Sequence, residues 1–159
     1  MKKWMTMTMA AMAFVFGMSA CSGSDDEPEA PVANQVAGTY SGTEILTVMG
    51  EVDESSETVV FTKATDVSVD LTLPQYGEGM MTVPALPVKG IPLTKNGSTI
   101  TGKLAKYEGT VKSADGSENA YTISDITVIF SDKNVVMTFT QKYGNMPFAF
   151  EGQFTGTKK

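Results

Sequence analysis

The sequence predicts an all-β domain of about eight antiparallel strands closed as an up-and-down barrel. Three observations carry that expectation. From about residue 36 onward apolar and polar residues alternate, the period-two signature of strands with one face in a core and the other in water. Turn residues recur at intervals that join each strand to the next, so neighbours in sequence become neighbours in the sheet. No segment sustains apolar residues at three-to-four spacing over a helical length. Eight antiparallel strands manage their edges best by closing on themselves, at a size whose interior is filled by side chains or holds one small ligand. The main competitor, an immunoglobulin-like sandwich, calls for long crossovers and a buried Trp, and the single Trp of this chain is Trp4, outside the domain.

Residues 1–20 read as a removable export signal. Lys2 and Lys3 are followed by an uncharged, mostly apolar run from Trp4 to Met18 and by the small residues Ser19 and Ala20. The run is shorter than the roughly 20 residues that cross a bilayer core. The segment after it is acidic and proline-containing instead of positively charged, so a permanent transmembrane helix is the weaker reading. The run Met18-Ser19-Ala20-Cys21 resembles the lipobox of bacterial lipoproteins, with Met in place of the usual Leu. The resemblance implies cleavage before Cys21 and a membrane anchor through lipid on that residue. Each acyl chain contributes about 0.8 kcal/mol per buried methylene, so a multiply acylated cysteine is an effectively permanent anchor. Cys21 is the only cysteine, which leaves no thiol for a disulfide within the mature chain.

Residues 21–35 read as the lipidated cysteine and an acidic flexible tether. Ser22 to Glu29 lacks the apolar surface needed to order itself. Its Ser24-Asp25-Asp26-Glu27 run resembles the acidic export signal of surface lipoproteins in Bacteroides-type bacteria, which implies display on the outer membrane at the cell surface. Pro28 and Pro31 stiffen the segment, which reaches to about Gln35 and spans up to roughly 45 Å when extended.

Residues 36–159 supply the strands. Tyr40, Gly42, Leu46 and Val48 share one face of the first, and Val59 with Phe61 mark the second. In Val67-Ser68-Val69-Asp70-Leu71-Thr72-Leu73 the odd positions are apolar and the even ones polar. Ile91 and Leu93, then Ile100 and Leu104, continue the pattern. Ile126, Val128 and Phe130, then Val135, Met137 and Phe139, then Phe148, Phe150 and Phe154 make three strands in succession. Ser131-Asp132-Lys133-Asn134 and Gly144-Asn145 are the hairpin connections between them.

The runs Val36-Ala37-Gly38-Thr39-Tyr40-Ser41-Gly42-Thr43 and Val69-Asp70-Leu71-Thr72-Leu73-Pro74, and the ending Met146-Pro147-Phe148 with Gly152-Gln153-Phe154-Thr155-Gly156-Thr157-Lys158, resemble the calycin-like β-barrel domain of Bacteroides-type lipoproteins. The resemblance covers essentially all of residues 36–159 and implies a lipocalin-like barrel. In true lipocalins a Gly-x-Trp opens the first strand and an Arg from near the barrel's end packs on that Trp. Here Gly38-Thr39-Tyr40 occupies the corresponding place, and the chain has no Arg. Tyr40 is the expected plug of the barrel floor.

Composition excludes much chemistry. The chain carries 18 acids and 12 bases, every base a lysine; removing Lys2 and Lys3 with the signal leaves ten lysines and a formal charge of −8. An acidic, arginine-free surface argues against nucleic acid, whose phosphates must be neutralised. There is no histidine and no thiol beyond Cys21, which rules out Ser-His and Cys-His nucleophiles and His-based zinc sites. No catalytic residue, metal site or cofactor is expected. The acids Glu51, Asp53, Glu54 and Glu57, and Asp115 with Glu118, fall in turn-rich sequence and read as solvated loops without calcium-loop spacing.

Five residues remain as candidate ligand or lid contacts: Tyr40, Glu44, Tyr76, Met80 and Met81. Glu44 shares parity with Tyr40, Leu46 and Val48, although a place near the barrel mouth, or a bulge that turns it outward, accounts for it more simply than a ligand role. Tyr76, Met80 and Met81 lie in the long, glycine- and proline-rich connection from Tyr76 to Val88, which forms either an adaptable contact surface or a closure of one barrel end. The expected function is a non-catalytic barrel binding a small apolar or glycan ligand at the cell surface. The alternative is a filled barrel that contacts another envelope protein, a reading the many Phe residues favour.

Overall fold

The computed structural model describes residues 29–79 and 82–159; the signal, Cys21 and most of the tether lie outside the described residues. Among the described residues eight strands follow a short helix: α1 (Val32–Val36), β1 (Gly38–Val48), β2 (Glu51–Thr65), β3 (Ser68–Leu73), β4 (Leu86–Asn96), β5 (Thr99–Lys112), β6 (Glu118–Ser131), β7 (Asn134–Tyr143) and β8 (Phe150–Lys158). Each strand pairs antiparallel with the next, and β8 returns to β1 with Tyr40 opposite Lys158 and Thr47 opposite Glu151. The result is the closed up-and-down barrel that the alternation predicts.

Closure demands a tight seam. At Gly42 the β8 backbone comes so near that a Cβ would lie 1.9 Å from the Thr155 carbonyl oxygen and 2.5 Å from the Gly156 Cα. Neither atom belongs to a flexible side chain, so a methyl group there must part the strands. Gly42→Ala is expected to lower stability by about 1–3 kcal/mol, the usual cost of overpacking. Chemical denaturation measures it, and an unchanged midpoint would show that the seam is loose.

The barrel has one sealed end. The turns between β2 and β3, β4 and β5, and β6 and β7 all lie at this base, with α1 across it. The linker reading through Gln35 is corrected here, because Val32–Val36 form a helical turn whose Ala33 and Val36 are buried. Apolar contact outweighs the segment's freedom: Ala33 N–H donates to Asp66 O at 3.1 Å, and Lys158 Nζ donates to Gln35 O at 3.2 Å. Above α1, Tyr40 donates its hydroxyl to Val36 O at 2.9 Å and meets Phe61 edge-on with ring centroids 5.5 Å apart. Phe130 completes the cluster at 5.0 Å from Phe61 and 5.8 Å from Tyr40. Burial pushes the Tyr40 phenol up to about 12, so it stays a neutral hydrogen-bond donor across ordinary pH. Tyr40 is the predicted floor plug.

Bulges reset the inward face. In β6, Tyr121 and Ile123 are buried at odd positions, whereas Ile126, Val128 and Phe130 are buried at even ones. The register shifts between Ser124 and Thr127, and Asp125 takes φ 53°. One extra residue exchanges the two faces of a strand, so the bulge keeps both halves apolar-in. The same device separates Leu86 and Val88 from Ile91 and Leu93 in β4. There the left-handed Gly90 (φ 71°) donates its N–H to Asp70 Oδ1 at 2.8 Å.

Candidate functional site

The opposite end of the barrel is less completely laced. On the β3 side, β2 is hydrogen-bonded only from Phe61 to Thr65, so Glu51 to Val60 has no strand partner there. Likewise β4 pairs with β5 only from Leu93 to Asn96. The upper halves of β3 and β4, with the connection between them, are therefore held by side chains rather than by ladders on both flanks. Leu73, Val83, Leu86 and Val88 are buried beneath them, and Tyr121 donates its hydroxyl to Pro87 O across the β4–β5 gap.

A short bridge organises the connection after β3. Tyr76 and Val83 exchange backbone hydrogen bonds of 2.9 and 2.7 Å, and the Tyr76 ring stands 5.4 Å from that of Phe150. Phe148 follows at 5.7 Å from Phe150. Phe148 thus lies in the connection before β8 and not within the last strand as predicted, because that link runs from Gly144 to residue 149 and is longer than a two-residue turn.

Two joined clefts, each of about 500 Å³, open at this mouth. One is apolar, lined by Val48, Met49, Tyr76, Phe148 and Phe150. The other is acidic, with Glu51, Asp53, Ser55 and Glu57 from β2 facing Gln75 and Glu78. Val48, Glu51, Tyr76 and Gly77 belong to both. The acids predicted as a solvated loop are thus corrected to the first half of a strand. Glu51, Asp53, Ser55 and Glu57 share parity with the buried Val59 and Phe61, and only Glu54 of the cluster is on the outer face.

Glu44 points inward and is 3% exposed, with Ser55 opposite it on β2 and Phe154 on β8. No bulge turns it out. Burial first, and the charge of Glu57 second, raise its carboxyl from the ordinary 4.5 to about 7. Ser55 Oγ donates to Glu57 Oε1 at 3.2 Å. Burial and the charges of Asp53 and Glu51 push the Tyr76 phenol up. The ion pairs Lys63–Asp66, Lys89–Asp70 and Lys106–Glu108 use none of the cleft acids. No lysine lines either cleft.

Of the five candidate contacts, Tyr76 lines both clefts, whereas Glu44 is buried opposite Ser55 and lines neither. Tyr40 sits at the sealed base, 1% exposed, and offers no surface to a ligand entering from the other end. Met80 and Met81 lie outside the described residues. Sequence reasoning passes over Met49, Asp53, Ser55, Glu57, Gln75 and Phe148 as contacts. The one signal for the acids is their parity with Val59 and Phe61, hidden by their polarity.

No protein-family model and no curated protein matches the chain. Among solved structures the fold is similar to a protein from Bacteroides fragilis whose name reads "putative outer membrane protein". The TM-score is 0.63 at 20% identity, over 82% of this chain and 54% of the other, so the chain spans about half the length of that protein. At this identity the likeness is one of fold.

Proposed function

We propose that the protein is a non-catalytic lipoprotein, anchored to the outer membrane through lipid on Cys21 and displayed at the cell surface. Its barrel mouth captures a small apolar or glycan ligand. The observation that carries the reading is the asymmetry of the barrel: α1 and the Tyr40–Phe61–Phe130 cluster seal one end, while the other keeps an open apolar shelf beside polar groups. A mixed lining of this kind is what small-ligand sites have in common. The clefts described lie at the mouth, and the ligand rests there.

A calycin-like kinship is supported by Lys158, whose ammonium stands 6.0 Å from the Tyr40 ring centroid. A base from the last strand over an aromatic of the first is the lipocalin arrangement, with Lys for Arg and Tyr for Trp. Envelope placement is supported by the name of the Bacteroides fragilis protein that shares the fold. Native mass spectrometry of the lipoprotein purified from its own host is expected to show an added mass that Phe148→Ala diminishes. A spectrum without added mass counts against the reading.

The second reading, contact with another envelope protein, draws on the unpaired edge of β2 from Glu51 to Val60, since free strand edges recruit extended partners. Crosslinking from position 54 in cells distinguishes the two.

A further inference from the structure

We infer that the open edge of β2 accepts an extended segment of a partner protein as an added strand, one whose alternate residues are lysine or arginine. The inference rests on the second reading above, contact with an envelope protein, and names the chemistry of the partner.

The edge is open because the backbone that should cover it is engaged elsewhere. Continued beyond Phe61 and Leu71, the β2–β3 register would lay Pro74 to Gly79 alongside Thr58 to Asp53. Pro74 has no N–H to offer, and Tyr76 exchanges its backbone hydrogen bonds with Val83 at 2.9 and 2.7 Å. Among the described residues no backbone hydrogen bond reaches Glu51 to Val60 except from β1. An antiparallel neighbour takes up the groups of alternate residues only, so about five of the ten residues in this stretch point an N–H and a C=O away from β1. Such a row is a ready template for another strand. The acidic cleft lies beside it, with Glu51 to Glu57 as one wall and Gln75 to Glu78 as the other.

Charge selects the occupant. Side chains of an added strand alternate between the two faces of the sheet, as those of β2 do. Glu51, Asp53 and Glu57 share the inner face, and Glu78 stands across the cleft, which no lysine lines. Opposite charges on neighbouring strands stabilise a sheet, and like charges destabilise it. A base at every second residue of the added strand therefore runs along the row of inner acids. The residues between face outward beside the exposed Val52 and Val60, where β-branched side chains pack. The same edge of a second copy is a poor occupant, because it sets acids against acids.

The test is fluorescence anisotropy of a labelled peptide, acetyl-TKVKVKT-amide, with the full lipoprotein in nanodiscs of zwitterionic lipid and empty nanodiscs as the blank. This peptide is expected to bind, and its glutamate counterpart TEVEVET is not. Two further peptides carry backbone N-methyl groups, one on its lysines and the other on its valines. A strand offers the N–H groups of alternate residues to each side, so one of the two is expected to lose about tenfold or more in affinity and the other to match the parent. Asp53→Asn combined with Glu57→Gln is expected to weaken the parent peptide about fivefold, the effect of two exposed ion pairs. Affinity kept by both methylated peptides, or lost by both, overturns strand addition. An affinity unmoved by the double variant, or binding of the glutamate peptide, overturns the charge assignment. Absence of binding by the parent peptide overturns the inference, and the contact reading then stands or falls on the crosslink from position 54.

Discussion

Glu44→Gln is expected to stabilise the folded protein by about 3 kcal/mol at pH 8 and to change its stability little at pH 4. The carboxyl titrates near 4.5 when the chain is unfolded and at about 7 when folded, because burial and the charge of Glu57 both disfavour its ionised form. Below pH 4.5 it is protonated in both states and imposes no penalty. Between 4.5 and 7 the folded chain retains a proton that the unfolded chain has released, so stability falls as pH rises, and above 7 the loss is complete. A displacement of that size corresponds to about 3 kcal/mol. Glutamine keeps the shape without the charge. Urea denaturation of wild type and variant at the two pH values reads the difference directly; a gain that is the same at both would show that Glu44 is not the source.

Phe61→Ala is expected to cost about 3–5 kcal/mol, the range for removing a fully buried aromatic ring. The ring is 1% exposed and lies between Tyr40 and Phe130, edge-on to both. Its neighbours are poorly placed to collapse into the space. Tyr40 is tethered by its hydrogen bond to Val36 O, and Phe130 is fixed in the β5–β6 ladder opposite Ile100. The midpoint of denaturation should fall with little change in its denaturant dependence. A loss under about 1 kcal/mol would mean that the base is loosely packed, contrary to the plug that seals it.

Several strands are legible in the residue pattern alone. Val69, Leu71 and Leu73 are buried as their alternation requires, and so are Val135, Met137 and Phe139. Other elements are hidden for a physical reason. The upper half of β6 carries its apolar residues on the opposite parity from the lower half, and a reading that follows one parity loses the strand at Asp125. Val67 begins the Val67–Leu73 alternation yet is 59% exposed, because it sits in the turn before β3. The helical turn at Val32–Val36 is too short to display a period, and its order comes from contacts with the barrel base.

The site is less legible than the fold. Tyr76 is recognisable by its place in a long connection, but nothing in the order of residues says that it shares a cleft with Asp53, Ser55 and Glu57. That cleft lies where β3 ends at Leu73 while β2 continues up to Glu51.

The sequence by itself determined the class of the fold, the number of strands and their antiparallel order, because alternation and turn chemistry act within a few residues of one another. It also holds no histidine and no arginine, residue types that folding cannot supply. Only the tertiary structure decided which end of the barrel is sealed, that alternate residues of a polar run of β2 line a cleft, and that Glu44 is buried. Those outcomes depend on register, bulges and unequal strand lengths, which fix contacts between residues far apart in the chain and leave almost no mark on the local pattern.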